Sequence, residues 1–541
     1  MRLNRKLAEL EKKLYGQLEA TEADLAEWES SPYEMDSQTV AKFWSLVESA
    51  PAVGVVGDYD CDGICGSYIM ARAIRAVCPG KRVKVRVPRR FSEGYGFNSA
   101  IAEEMADSLP EGSVVVTVDN GISAAEALEA LESKGIKVVV TDHHELGNAR
   151  VPKTTMVLNP KVEGCCESFD GDYWCGAAVA YKLAEQVVPS EVAEHLSVFA
   201  GLATVADCME LRKGNWGLVR STVDRIRSGH APASLLALLD GMGQDPKFAS
   251  EETLGYYLGP AFNAPGRLDD KGAQIVLRYL LSPSQAGADE IIAMNNERKR
   301  VRDEEYELVK AAAVEQGQVG ADPMWVYVPG LHEGIVGILA GKAAEDYGAS
   351  AVVLTDSSEP GVLKGSARAF GNTNILEDLL NCGDIFEKVG GHERAAGLSI
   401  KEDALGVAIS HQGQRAQREV HASDATSIEA AEIPAVSEVV CKFKPFGEGN
   451  PAPKFAVDVD MSEDGARMVG KNGEHLVIQN KAAGYKITHF NHEPNSLSNK
   501  SRFELIGEVK KTGFANKETP TLDAREAVDI YDDREQDLSD I

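Results

Sequence analysis

The 541-residue chain contains no run of about 18 uninterrupted apolar residues, so a helical membrane span is not expected. Met1 to Leu18 alternates Lys, Arg and Glu with Leu and offers no apolar signal-peptide core, so export is not expected either. Cysteines number only nine and stand at irregular positions. There is no Cys-x-x-Cys pair and no zinc-ligand spacing, and the adjacent Cys165 and Cys166 are poorly placed to bond to each other. A disulfide scaffold and a zinc cluster are therefore excluded, and reduced thiols of the cytoplasm are the expectation. Basic residues are scarce: 56 Lys and Arg stand against 84 Asp and Glu, a formal net charge of −28. On its face that excess argues against nucleic acid, because an acidic surface repels a polyanion.

What is present is an ordinary globular composition, 43% hydrophobic and 26% charged. The length is too great for one core and implies two to four domains. The scarce basic charge is also concentrated. Lys81, Arg82, Lys84, Arg86, Arg89 and Arg90 fall together and lead into a glycine-rich turn, the composition of an anion site.

Three short valine-rich runs break off into residues that ligate metals. Val53–Val56 leads into Gly57-Asp58-Tyr59-Asp60-Cys61-Asp62-Gly63, Val114–Val118 into Asp119-Asn120-Gly121, and Val138–Val140 into Thr141-Asp142-His143-His144. Such runs, separated by helical stretches, read as buried parallel strands, and ligands bind beyond the carboxyl ends of such sheets. Three strand ends then bring several carboxylates and two imidazoles to one crevice. A multivalent cation is what makes that density of negative charge tolerable. The spacing of Asp58, Asp60 and Asp62 predicts side chains on one side of an extended segment. Carboxylate with imidazole suits Mn²⁺ or Mg²⁺, and two such ions about 3.5–4 Å apart, sharing a carboxylate, suit in-line hydrolysis of a phosphoester.

Further along, Gly259–Leu268 reads as a turn-rich loop carrying Asn263 and Arg267. Lys364, Ser366 and Arg368 share one face of a predicted strand, and Gly390–Gly397 reads as a glycine-rich loop opening a small-residue helix. Together they suggest a polyanion passing between two α/β lobes. The expected organisation is a helical segment over 1–48 with Trp28 and Trp44 as packing anchors, an α/β domain over 49–225 and a helical connector over 226–316 that ends in one long charged helix. A second α/β domain over 317–412, a polar linker over 413–433, a small β-barrel over 434–531 and an acidic tail over 532–541 follow.

In order and spacing, these motifs resemble the RecJ group of single-strand-specific exonucleases in the DHH phosphoesterase superfamily. The resemblance covers Val53 to Asp529 and includes Arg90-Phe91-Ser92-Glu93-Gly94-Tyr95-Gly96, Thr204-Val205-Ala206-Asp207 and Phe446-Gly447-Glu448-Gly449-Asn450-Pro451. It implies a parallel-sheet DHH lobe and a DHHA1 lobe joined by a long helix, plus a C-terminal OB-fold barrel. It implies two Mn²⁺ or Mg²⁺ ions on Asp58, Asp60, Asp62, Asp119, His143 and Asp207, with His144 and Asp142 serving catalysis beside the scissile phosphate. It implies DNA or phosphate contacts from Arg90, Tyr95, Asn263, Arg267, Lys364, Ser366, Arg368, Gly391 and His392. Phe443, Phe446, Phe455 and Phe490 are the barrel's candidates for stacking bases. The activity implied is 5′→3′ degradation of single-stranded DNA to 5′-mononucleotides in repair and recombination, by a cytoplasmic monomer cooperating with a helicase and a single-strand-binding protein. The alternatives are a phosphodiesterase of short oligonucleotides or cyclic dinucleotides and a non-catalytic replication scaffold of the Cdc45 type. Cys61 and Cys208 next to expected ligands, and Ala367 and Ala369 in the second-lobe strand, depart from the usual pattern.

Overall fold

The computed structural model describes residues 2–30, 35–147, 149–163, 174–410, 413–414, 425–460, 465–471, 473–490, 502–514 and 517–529. The chain sorts into two compact units, Met1–Pro88 with Tyr95–Gly259 and His421–Ile541, and Arg89–Gly94 with Pro260–Val420. Cys165, Cys166 and the expected acidic tail lie outside the described residues.

The first unit opens with α1 (Arg2–Leu18), α2 (Glu22–Ser30) and α3 (Ser37–Ser49), and then alternates β1 (Ala52–Val56), α4 (Cys61–Val77), β2 (Arg82–Arg86), α5 (Ser99–Ser108), β3 (Val114–Val118), α6 (Ala125–Ser133), β4 (Lys137–Thr141) and β5 (Met156–Leu158). The sheet order is β2-β1-β3-β4-β5, parallel throughout. Every residue of β1 and β3 is buried, as expected of strands covered on both faces. Each buried valine contributes about 1.5–3 kcal/mol of transfer free energy. The winding direction reverses between β1 and β3, and that reversal opens a crevice at their carboxyl ends. α7 (Gly176–Glu185), α8 (Ser190–Ala206), α9 (Lys213–Arg227) and α10 (Ala233–Gly241) follow, and a π-helical turn spans Thr253–Leu258.

α11 (Gly259–Leu268) corrects the sequence reading of a loop. Pro260 sits in its first turn, where a missing N–H costs nothing, and Pro265 is carried inside it. The buried Leu258, Ala261, Phe262 and Ala264 follow helical spacing and override the turn signal of the prolines and glycines.

In the second unit α12 (Gly272–Leu281) precedes the long connector α13 (Gln285–Glu315), whose Ser284 accepts a capping bond from Gly287 N. β6 (Ala321–Asp322), β7 (Met324–Tyr327), α14 (Val336–Tyr347), β8 (Ala351–Asp356), β9 (Val362–Arg368), α15 (Ile375–Leu380), β10 (Phe386–His392), β11 (Ala395–Lys401) and α16 (Leu405–Ser410) follow. The main sheet has the order β10-β11-β9-β8-β7, with only β7 and β8 parallel. Gly390–Gly397 is a hairpin and not a loop opening a helix, which overturns the sequence reading. Its small residues suggested a helix, but the buried Ala396, Leu398 and Ile400 alternate with more exposed neighbours at a period of two. β12 (Gly413–Gln414) pairs with β6.

Back in the first unit, β13 (Thr426–Ser427) and α17 (Ile433–Lys442) lead to β14 (Lys454–Asp460), β15 (Arg467–Val469), β16 (His475–Asn480), β17 (Tyr485–His489), β18 (Arg502–Phe514) and β19 (Lys517–Asp529). They form one mostly antiparallel sheet in the order β13-β14-β18-β19-β17-β16-β15. Its core is shared with the N-terminal helices: Leu10, Leu14 and Leu18 of α1 pack in one cluster with Trp216, Phe443, Phe455 and Phe503. Trp28 meets Trp216 edge-on at 6.0 Å, and buried Trp44 donates to Leu183 O at 2.6 Å, so both tryptophans serve as packing anchors. Among the described residues no helix is long and apolar enough to cross a membrane.

Candidate metal centre and phosphate-binding face

Three neighbouring strands end at the crevice, each delivering acidic or imidazole groups. Past β1, Asp58 is buried at 1% exposure. The chain then turns straight into α4, so the three aspartates do not lie along an extended segment as the spacing suggested. Asp60 is the N-cap of α4, accepting from Gly63 N at 3.0 Å, and Asp62 stands in its first turn. Asp62 in turn accepts from Gly176 N at 2.6 Å and Ala177 N at 2.7 Å, the first amides of α7. Two helix amino termini thus aim positive dipole ends at the carboxylates.

Past β3, Asp119 adopts φ +62°, a left-handed conformation that costs a non-glycine residue strain. Its surroundings leave no slack: a Cβ at Gly176 would lie 2.5 Å from Asp119 Cβ, and one at Gly63 would lie 2.3 Å from Asp58 N. Past β4, His143 Nε2 lies 3.0 Å from Asp119 Oδ1, 3.5 Å from Asp207 Oδ2 and 3.6 Å from Asp62 Oδ2. Asp207 caps the carboxyl end of α8. Ligand-capable atoms of Asp58, Asp60 and Asp119, of Asp62, His143 and Asp207, and of Asp119, His143 and His144 come within 4.8 Å of one another in three overlapping groups.

Asp142 does different work. Its Oδ2 accepts from Ile122 N at 2.9 Å, and its Oδ1 accepts from His143 N at 2.8 Å and sits 2.8 Å from His144 Nδ1. It orients the imidazole and stands in none of the three groups. Burial is the largest influence and raises the cost of its charge, but the bond and charge of His144, the Ile122 amide and His143 together outweigh it and hold the carboxyl below the usual range. Burial likewise opposes the charge of His144, but Asp142, joined by Asp207 and Asp60, outweighs it and raises His144 to about 9.

The other carboxylates move the opposite way. Burial, and then Asp60, pushes Asp58 well above the usual carboxylate range and Asp62 up to about 6. Burial, followed by Asp62 and Asp60, does the same to Asp119 and Asp207. Asp119 Oδ1 is buried and receives no well-formed hydrogen bond, although His143 Nε2 is near. An acceptor left bare among repelling carboxylates fits a hard divalent cation.

The second unit gathers the opposite charge. Across β9, β11 and β10 the register aligns Lys364 with Ser399 and Lys388, Ser366 with Gly397 and Gly390, and Arg368 with Ala395 and His392. Opposed residues share a face, so Lys364, Lys388, Ser366, Arg368 and His392 project from one side of the sheet, while Leu363, Ala367, Ala396 and Leu398 fill the core on the other. Arg368 Nη1 donates to Ser366 Oγ at 2.7 Å, and Gly337, next to the first residue of α14, leaves these two side chains room. Burial, then nearby Arg90, lowers the pKa of Arg368. Arg267 donates to Gly334 O at 3.3 Å, and Lys364 is ion-paired with Glu333. Arg90 is held in place by its neighbours, since Asp270 accepts from Phe91 N at 2.9 Å and from Ser92 N at 3.0 Å.

Residues 52–207 match the family model of the DHH family, N-terminal domain, 322–417 that of the DHHA1 domain and 427–526 that of the RecJ OB domain. The chain thus carries DHH, DHHA1 and RecJ OB domains in that order. It is 29% identical over 520 residues to the single-stranded-DNA-specific exonuclease RecJ of Bacillus subtilis (strain 168), covering 92% of this chain and 64% of that protein. It is 32% identical over 374 residues to the exonuclease of that name from Dickeya dadantii (strain 3937), covering 64% of this chain and 63% of that protein. The chain thus spans a little under two thirds of the length of these curated relatives. The crystal structure of RecJ in complex with Mn²⁺ from Thermus thermophilus superposes with a TM-score of 0.75 at 22% identity, over 96% of this chain and 78% of that one, which establishes a common fold.

Set beside the sequence expectations, Asp58, Asp60, Asp62, Asp119, His143, His144 and Asp207 come together, with Asp142 behind His144. Lys364, Ser366, Arg368 and His392 share one sheet face, and Gly391 lies in the hairpin opposite Ala396. Tyr95 was expected on DNA, and its hydroxyl lies against His144. Of the four phenylalanines proposed for base stacking, Phe443 and Phe455 are fully buried core, Phe446 is partly buried against that core, and Phe490 is 44% exposed. Cys61 is buried with its sulfur 4.0 Å from that of Cys65, and Cys208 is exposed. Gly63, which flanks the aspartates, is the glycine a tight turn there needs, whereas the spacing of carboxylates could not reveal the clearance glycine Gly176 or the anchor Asp270. Only the Asp269-Asp270 pair beside a predicted phosphate-binding arginine hinted at the last.

Proposed function

We propose that this chain is a divalent-cation-dependent exonuclease that degrades single-stranded DNA 5′→3′ to 5′-mononucleotides. The observation that carries the reading is the cluster of buried, mutually repelling carboxylates at the switch point of a parallel sheet. Asp58, Asp60, Asp62, Asp119, His143 and Asp207 would hold two Mn²⁺ or Mg²⁺ ions. The Thermus structures were solved with each of these metals. When bound, such ions supply Lewis-acid stabilisation of a phosphodiester and lower the pKa of water.

The chain's own residues do the rest. Asp142 fixes one ring nitrogen of His144 and favours its protonated form, so that His144 can donate a proton or hydrogen bond to the phosphate beside the carboxylates. Arg90, Arg267, Lys364, Ser366, Arg368 and His392 bind phosphates, with Asn263, Gly391 and the backbone beside them in support. Bases stack on Phe490 at a pocket of about 480 Å³ that is also lined by His475, Lys486, Lys510 and Arg525. Basic patches inside an acidic shell reconcile the net charge of −28 with a polyanionic substrate. The same reading makes the enzyme a cytoplasmic monomer that acts in repair and recombination on strands exposed by a helicase and covered by a single-strand-binding protein. The seven described cysteines, all free, suit a reducing compartment.

The test is digestion of end-labelled single strands with and without Mn²⁺. Mononucleotides appearing first from the 5′ end are the expected result. Cleavage confined to oligomers of a few nucleotides would replace this reading with a short-oligonucleotide phosphodiesterase, and no cleavage at all with a scaffold.

A further inference from the structure

The Gly94-Tyr95-Gly96 turn serves the imidazole as well as the loop. Gly94 and Gly96 have φ of +78° and +73°, a left-handed backbone that glycine adopts freely. They bring the Tyr95 ring over the crevice while the Gly96 N–H donates to Asp58 Oδ1 at 3.3 Å. The Tyr95 hydroxyl then lies 3.0 Å from His144 Nε2 and 3.2 Å from Nδ1. Nδ1 is already 2.8 Å from Asp142 Oδ1, and the phenol oxygen, within reach of both nitrogens, meets the ring between them and off the in-plane direction of Nε2. Tyr59 braces the tyrosine ring edge-on at 6.3 Å.

The arrangement differs from core packing. Tyr95 is 50% exposed, so the ring is not placed there to fill a void. Held at one nitrogen only, an imidazole can still rock about its broad terminal torsion. Asp142 is itself immobilised by three backbone amides, of Ile122, His143 and His144. A second contact, on the side of the ring between its two nitrogens, turns one fixed point into two and sets the plane of the ring while leaving Nε2 open along its own direction.

We infer that Tyr95 is a positioning residue for His144, its hydroxyl fixing the imidazole's orientation toward the substrate. The inference rests on the exonuclease reading above and assigns Tyr95 a task other than gripping the strand. The hydroxyl carries it, so removing that one oxygen should separate the two tasks.

The test uses the full chain with Mn²⁺ and a 5′-labelled single strand, comparing Tyr95→Phe, His144→Ala and the double variant. Tyr95→Phe should lower kcat about 10-fold, the size typical of losing a partner that orients a functional histidine. KM, the strand dissociation constant measured in EDTA and Tm should stay unchanged. In the His144→Ala background the same substitution should have no further effect on kcat, because its route is gone. In the metal-free protein, the ¹⁵N resonances of His144 should move in Tyr95→Phe, a readout independent of turnover. Unaltered kcat, an equal loss in both backgrounds, or a rise in KM and dissociation constant alone would overturn the inference, the last by returning Tyr95 to the strand. Full turnover in His144→Ala, or none in the unsubstituted chain, would instead remove the functional reading beneath it.

Discussion

At the ends of β1 and β3, Asp58, Asp62 and Asp119 are buried, crowded and pushed toward their protonated forms, whereas the face of β9, β11 and β10 carries cations that are partly exposed and mostly given a partner. Both are α/β sheets with apolar strands, so the fold alone does not decide which charge a sheet presents. The difference lies in where the charged residues stand. On the parallel sheet they lie past the strand ends, where helix dipoles and tight glycine packing hold them out of water. On the mixed sheet they alternate within the strands and project from the open face. The crowded carboxylates are electrostatically suited to cations and the open face to anions, which is the pairing that the proposed function calls on.

The sharpest way to break this comparison is Asp119→Asn. It removes a charge from the crowded cluster and costs several kcal/mol of transition-state stabilisation, so kcat should fall roughly 10³-fold or more while single-strand affinity in EDTA is kept. Without metal, the same variant should melt at a higher temperature than the unsubstituted chain, because repulsion is relieved. Retained hydrolysis would remove Asp119 from the centre. Next in size is Gly176→Ala, whose Cβ would fall 2.5 Å from that of Asp119. Displacing the aspartate by a fraction of an ångström should cost about 10²-fold in kcat, read by steady-state kinetics at saturating Mn²⁺.

The pH dependence of stability follows from the same crowding. The folded-state pKa of Asp62 is raised to about 6 from an ordinary value of 3.8. The folded state therefore binds protons more tightly than the unfolded one, and the metal-free protein should lose stability as pH rises from about 4 through 6, by about 3 kcal/mol for this group. Thermal melts in EDTA across that window check the sign, and Mn²⁺ should abolish the trend. On the cationic face, Glu333→Gln releases Lys364 from its ion pair. Strand affinity should rise a few-fold and its salt dependence steepen by about 0.7 in the log–log slope, as one further phosphate is engaged. The smallest effect concerns Asp270, whose carboxyl the Ser92 hydroxyl holds below the usual range. A lowered folded-state pKa gives a stabilisation present above about 4 and lost on acidification, so the protection factors of the Phe91 and Ser92 amides, taken relative to intrinsic exchange at each pH, should fall as pH drops toward 3.

Much of the acidic centre was legible in the sequence because its two signals are local: a valine run marks a buried strand, and the residues just past it mark the crevice. Asp58, Asp119 and His143 needed no more than that. Asp207 was not legible in that way, since it ends a helix and only the resemblance pointed to it. The readings that failed were those in which composition competed with packing. Pro260, Pro265 and the glycines around them suggested a loop where buried Phe262 enforces a helix, and Gly390–Gly397 concealed the period-two burial of β11. β19 escaped notice because its sequence, Lys517–Asp529, is largely charged and polar, and its place in the sheet is set by pairing with β18 around a bulge at Ile506 and Gly507. Clearance glycines and backbone anchors are relations between distant residues, which no local pattern encodes.

The route of the chain between β2 and α5 has a mechanical consequence. Arg89–Gly94 sorts with the second compact unit, yet the very next residue leans on His144 in the first. Phe91 and Ser92 are moored to Asp270, and Arg90 rides between that mooring and β2. Only five positions of backbone separate the Arg90 guanidinium from the Tyr95 phenol, so a displacement at one end of this short stretch leaves little chain to absorb it before the other.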